Sequence, residues 1–160
     1  MAAPVTTESV WRALSKNTFA VLSWVTPKSA SRSAGIIYLA RDRKLMIGAE
    51  SHSWKVRHIR ENPNVSITAT LKKRIPFMPW LPLPDATISF HGKARVVEPP
   101  DVDPALMRDL TRGMVDDPEL RANSCVIEVI PEGEFVTYGI DVSTLAMRDP
   151  NAAQGRAPVS

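Results

Sequence analysis

The sequence predicts a mostly β domain: six or seven short antiparallel strands rolled into a small barrel, with about three helices on its periphery. Three observations carry that expectation. Runs rich in β-branched and aromatic residues recur along the chain, each bounded by Pro, Gly, Asn or Asp. Several are joined by hairpin turns such as "PKSAS" and "RDRK". No internal repeat is present, so sheet with peripheral helices is the natural layer plan.

Taken in order, "TTESVWRALSKN" places Val10, Trp11 and Leu14 on one face, with Thr6 or Thr7 as cap, Glu8 early and Lys16 late, and reads as a short amphipathic helix. "TFAVLSWVT" is a strand closed at Pro27, and "RSAGIIYLA" and "KLMIGA" flank "RDRK" as a second hairpin. A cationic helix follows and stops at Asn62-Pro63, after which "NVSITATL" is the next strand. "KKRIPFMPWLPLP" holds Pro76, Pro79, Pro82 and Pro84, which forbid a central strand and make an extended loop. "ATISFHGKARVVE" is a strand in which Gly92 marks a bulge or bend. "DPALMRDLTRGM" gives Leu106, Leu110 and a late Gly113, a second amphipathic helix. "SCVIEVIP" and "EFVTYGI" read as two further strands.

The 160 residues are enough for one domain with a real core. That domain is expected to span residues 1–149, leaving 150–160 as a flexible tail whose few apolar groups order only if docked. The one cysteine, Cys125, excludes a disulfide framework, which fits a reducing, cytoplasmic setting. Glu8, Arg12 and Lys16 interrupt any apolar leader, and no run approaches the ~18 residues of a membrane span. Net charge is +3 but unevenly spread: residues 41–74 hold nine Lys/Arg against three Asp/Glu, residues 85–134 five against eleven. A basic middle asks for an anionic partner: nucleic acid, lipid headgroup or phosphorylated small molecule.

The stretch "SHSWKVRHIRENP" narrows the choice. Ser51 or Ser53 can cap a helix whose first turn should then prefer acids, because unpaired amides give that end about half a positive charge. Instead Lys55 stands there, with Arg57 and His58 behind it. A phosphate would satisfy amides, hydroxyl and lysine together. The competing reading is a solvated cationic face.

The order of elements around this stretch favours the phosphate. Arg32, a hairpin, the pair Gly48-Ala49, then Ser53-Trp54-Lys55-Val56-Arg57 and the Asn62-Pro63 stop resemble the FMN-binding split-barrel family of pyridoxamine 5′-phosphate oxidases and deazaflavin-dependent reductases. "HGKARVVE" also looks like a later strand of that family. The resemblance covers residues 18–98 and implies a split β-barrel homodimer with the cofactor at the subunit interface. By it, Arg32 and Lys55 hold the phosphate of FMN, with Ser53 and the helix amides around Trp54 assisting. The backbone around Ser33, Ala34 and Gly35 and around Ile47, Gly48 and Ala49 lines the ring, and Thr87 falls where relatives place a polar side chain toward it. The deazaflavin coenzyme F420 is the alternative cofactor, and a non-catalytic flavin or haem carrier the alternative role. The expected activity is hydride transfer to or from a small molecule, with no side chain required as nucleophile or base. Gly48 and Ala49 replace hydroxyl-bearing residues of many relatives, Gly35 replaces a common Pro, and the chain ends in "GRAPVS" without the segment resembling a substrate-phosphate clamp. These departures argue against vitamin B6 chemistry.

The remaining chemistry-bearing residues support no other class. His52, His58 and His91 do not share the spacing of metal ligands. Cys125 sits mid-strand among apolar neighbours, and Ser31 and Ser33 lack a His–Asp companion at recognisable spacing. In "KKRIPFMPWLPLP", Phe77 and Trp80 beside basic residues are able to stack on single-stranded bases, dip into a bilayer or cover a pocket. A lid or dimer contact is the expectation, since prolines reduce the entropy lost on docking, and neither nucleic acid nor membrane is expected as partner.

Overall fold

The computed structural model describes residues 4–75, 77–113 and 117–160. In chain order the elements are α1 (Thr7–Ser15), β1 (Phe19–Val25), β2 (Ser31–Arg41), β3 (Lys44–Glu50), α2 (Trp54–Glu61), β4 (Asn64–Leu71), β5 (Ala86–Val97), α3 (Pro104–Leu110), α4 (Pro118–Ala122), β6 (Ser124–Tyr138), α5 (Pro150–Ala153) and β7 (Gln154–Pro158). Every strand pairing is antiparallel. The sheet order is β3-β2-β1-β4-β5-β6-β7, and a further β3–β6 ladder closes six strands into a barrel with β7 as an extra strand. The expected barrel with peripheral helices is therefore the observed fold.

Local chemistry explains most boundaries. At α1, Thr6 and Ser9 form a reciprocal capping box, and Val10, Trp11 and Leu14 are all buried. The β2–β3 turn has φ of 52° at Asp42 and 57° at Arg43, the two-residue geometry whose twist suits a hairpin. Strands β1, β4 and β5 alternate strictly, sending Leu22, Trp24, Val65, Ile67, Ile88 and Phe90 inward. Trp11 meets Phe135 edge-on at 5.6 Å, and Phe135 meets Phe90 likewise at 5.3 Å, so α1 plugs one mouth of the barrel. Tyr38 donates to the Leu14 carbonyl at 2.9 Å, and burial pushes its phenol up to about 12. Each large side chain buried here is worth about 1.5–3 kcal/mol.

Several expectations change. "SCVIEVIP" and "EFVTYGI" are not two strands but one, β6, which absorbs Pro131 and Gly133 in a bend, with Gly133 at φ +73° and the ladder to β5 shifting register between Ser89 and His91. That shift lies beside Gly92. Gly92 itself marks a close backbone approach, since a Cβ there would fall 2.2 Å from the Ile130 carbonyl oxygen. The tail expected to be mobile unless docked is docked: residues 150–158 form α5 and β7, with Ala153 and Ala157 buried. β3 occupies one edge of β6 over Ser124–Val129, and β7 takes that edge over Glu134–Tyr138. Five helices stand among the described residues where three were expected, because the short α4 and α5 carry no apolar period. Pro76 and Met114 lie outside the described residues.

On the outside of the β3–β6 ladder, α3 packs Met107 against Met46 and Val126, so β6 is buried on both faces from Cys125 to Val129. Glu128 belongs to that run. Burial alone would raise its pKa, but hydrogen bonds from Lys44 (3.0 Å) and Arg95 (3.3 Å) outweigh burial and hold it below the ordinary value. Its charge therefore favours the folded state above the unfolded carboxylate pKa, and that contribution disappears as pH falls through the lowered native value. Urea midpoints should drop less between pH 7 and pH 3 for Glu128→Gln than for the wild type.

Gly92→Ala should cost about 3 kcal/mol or more in urea unfolding, because backbone has to move. Gly48→Ala should change stability by less than about 0.5 kcal/mol, since nothing lies within 4 Å of its would-be Cβ.

Candidate functional site

β2 and β3 pair only from Tyr38↔Ile47 to Arg41↔Lys44. Beyond that point they part, β2 staying on β1 through Ser31 while β3 stays on β6 through Glu50. Tyr38 donates its amide to Thr18 on the β1 side, so by ladder alternation the backbone groups of Ser33, Gly35 and Ile37 face the opened edge. A cavity of about 780 Å³ lies at this parting. Gly35, Gly48 and Ala49 supply part of its lining, Lys55 enters from α2, and Met107 and Leu110 of α3 line it with Leu120 of α4. The missing side chain at Gly48 leaves its surface bare, and at Gly35 only the Phe19 ring stands near, at 3.0 Å. A planar group is what such a floor accommodates.

The start of α2 is braced from three directions. The Ser51 amide donates to the Asn123 carbonyl at 2.9 Å, Arg60 donates to the Ser51 carbonyl at 3.1 Å, and Arg60 grips Glu98 with two bonds of 2.9 and 3.0 Å. Ser53 is the N-cap residue, yet its side chain makes no capping bond, and the first turn contains no acid. The Ser53 hydroxyl is buried without a hydrogen-bond partner. Ser51 shares that state, its neighbour being the Cys125 thiol, whose pKa burial raises. Lys55 is half-buried, and burial lowers its pKa. No acidic group is within ion-pair distance of it among the described residues. Orphaned hydroxyl, uncapped amides and an unpaired ammonium together make an anion site in want of its anion.

Arg32 and Trp54 belong to a different lining. They line a second cavity of about 650 Å³ with Lys28, Arg57, His58 and Trp24. Arg57 lies 4.7 Å over the Trp54 ring, and Trp24 donates through Nε1 to His58 Nδ1 at 3.1 Å. Arg32 and Lys55, expected to share one phosphate, thus line two different cavities, both bordered by residues at the start of α2.

The other expected residues divide. Gly35, Gly48, Ala49 and Lys55 come together around the first cavity, while Ile47 is fully buried on the core side of β3. Ser33 is exposed and Ala34 packs on the core, neither lining that cavity. Thr87 is half-buried on β5, opposite Thr70 and Tyr138, and β5 borders neither β2 nor β3. Sequence reasoning did not find the wall built by Met107, Leu110 and Leu120. The apolar stripe of α3 was readable, but not the strand pair it would cover.

No family model matches the sequence, and no curated protein matches it. Solved structures do match in fold. The chain superposes on a haem-binding protein from Mycobacterium smegmatis with a TM-score of 0.68 at 13% identity, covering 99% of this chain and 60% of that one. An F420 reductase gives a TM-score of 0.57 at 19% identity over 78% of this chain and 93% of that one. A pyridoxamine 5′-phosphate oxidase-related, FMN-binding protein from Nostoc punctiforme gives 0.55 at 12% over 93% and 87%. At these identities the likeness is one of fold, and the fold is the one the sequence resemblance implied.

An acid at the cap should relieve the local positive charge. Ser53→Asp is expected to stabilise the unliganded protein by about 0.5–1 kcal/mol in phosphate-free buffer. Added inorganic phosphate should raise the melting temperature of the wild type and leave that of the variant unchanged.

Proposed function

We propose that the chain binds a phosphate-bearing flavin, FMN in the first place, and acts as an oxidoreductase on a small organic substrate. Lys55 carries the reading: a half-buried cation in the uncapped first turn of α2, without an acidic partner among the described residues. The residues fit such a group, because the orphaned Ser53 hydroxyl suits a phosphate oxygen and the bare Gly48 surface suits a flat ring. When bound, the ring supplies hydride transfer. The protein's own part is to hold, orient and shield. Lys55 and the α2 amides take the anion, the opened edge of β2 offers backbone hydrogen bonds to the ring's rim, and Met107, Leu110 and Leu120 keep water from one side.

In this reading Arg32 reaches the same anion from the second cavity. A second copy of the chain supports it further. Phe19 is 47% exposed and Ile37 61% exposed on the outer face beside Gly35, an apolar surface that a homodimer would cover while completing the cavity. The alternative cofactor is the deazaflavin coenzyme F420. The cations Lys28, Arg32 and Arg57 around the second cavity favour it, since they suit a longer anionic tail than FMN carries.

Visible spectra of the purified chain titrated separately with FMN, F420 and haemin discriminate these readings. Saturable FMN binding with reduction by a nicotinamide donor supports the enzyme. Saturation by F420 alone moves the assignment to the deazaflavin, and binding without turnover to a carrier. Lys55→Ala should weaken binding of the preferred cofactor by about 1–3 kcal/mol, the worth of a charge-assisted hydrogen bond; an unchanged Kd would falsify the site.

A further inference from the structure

The connection between β4 and β5, residues 72–85, lines neither cavity at α2. It opens with Lys72, Lys73 and Arg74 and continues through Phe77, Met78 and Trp80. Large apolar side chains of this kind are normally buried. Here Phe77 is 88% exposed and Trp80 75%, with Met78 exposed beside them. Two successive turns shape the tip, Met78 donating to the Ile75 carbonyl and Leu81 to the Met78 carbonyl, both at 3.1 Å. Pro79, Pro82 and Pro84 stiffen it, so little chain entropy remains to be lost on docking.

The cations behind this tip are joined by others from a different element. Arg12 and Lys16 of α1 share a shallow cavity of about 310 Å³ with Lys72 and Lys73, where Asp141 is the acid in the lining. None of Arg12, Lys16, Lys72, Lys73 or Arg74 lies within ion-pair distance of a carboxylate among the described residues. The base of the connection thus carries a cluster of positive charge without ion-pair partners among the described residues, and its proline-flanked tip carries exposed aromatic and methionine side chains.

We propose that this face docks peripherally onto an anionic lipid bilayer. Indole and phenyl rings settle at headgroup depth, while lysine and arginine gain from the negative surface potential within a Debye length. No helix among the described residues is long and apolar enough to cross a membrane, so contact is at the surface. The same face suits a second copy poorly, because a two-fold contact there sets one basic patch against another. It suits single-stranded nucleic acid poorly as well. Phe77 and Trp80 sit among Ile75, Met78 and Leu81 and are not interleaved with the cations as a base-stacking groove requires.

The test is sedimentation of the full chain with vesicles of phosphatidylcholine alone and with about 30% phosphatidylglycerol, at about 0.1 M salt. The chain should pellet with the anionic vesicles only, with a blue shift in tryptophan emission that Trp80→Phe removes. Replacing Lys72, Lys73 and Arg74 together by Glu should lower partitioning by about 100-fold or more. Phe77→Ser with Trp80→Ser should lower it by about 10-fold. All these side chains lie outside the core cluster, so melting temperatures should match the wild type. The proposal fails if wild type does not pellet, if neutral vesicles serve equally well, or if the charge-reversed variant still partitions. It also fails if the serine variant converts a dimer to a monomer while vesicles leave wild type in solution, or if RNA is retained and vesicles are not.

Discussion

The early end of the β2–β3 ladder is the constraint on which the candidate site depends. Four residue pairs hold these strands together, and past Tyr38↔Ile47 each continues with a different neighbour. A barrel closed tightly at this seam would leave only side chains on its outer face. Parted, it presents backbone on one side and a glycine-bare strand on the other. Unpaired strand edges are costly when buried and hazardous when exposed. Here the edge lies beside a cavity, where a ligand can use its hydrogen-bonding groups.

The helix that begins beside this parting is held still by interactions that do not themselves bind anything. Arg60 reaches from the last turn of α2 to the carbonyl of Ser51 and to Glu98 after β5, and Asn123 anchors the same turn from the start of β6. The turn is therefore rigid before any ligand arrives, which lowers the entropy cost of binding. Its electrostatics run the opposite way. A buried hydroxyl left unused and a lysine with depressed pKa both detract from stability. Local destabilisation in a firmly braced frame is the usual arrangement of a binding site.

The rest of the barrel bears that cost comfortably. Its interior is continuous from Trp11 and Phe135 at one mouth to Val56 and Ile59 beneath α2. A separate cluster of Met46, Met107 and Val126 fastens α3 to the outside of the β3–β6 ladder. That fastening is what turns α3 into a wall of the cavity. The candidate cavity is thereby carried on the barrel's exterior, at the seam, while the core lies within.

Sequence by itself determined what local chemistry controls. The capping box at Thr6, the apolar alternation of β1, β4 and β5, the stop at Asn62-Pro63 and the uncompensated charge at Lys55 are set by neighbours a few residues away. Tertiary structure alone decided whatever depended on distant chain. Pro131 and Gly133 break a strand on local grounds, yet β6 runs through them because β3, β5 and β7 pair with it on either side of the bend. The tail is polar on local grounds, yet it is ordered because β6 offers it a free edge. Arg32 and Lys55 look like one constellation in sequence; in the fold Lys55 lines the cavity at the strand parting and Arg32 lines the one beside Trp54. Spacing along a chain records which face of one element a residue occupies, whereas which faces meet is settled by packing between elements.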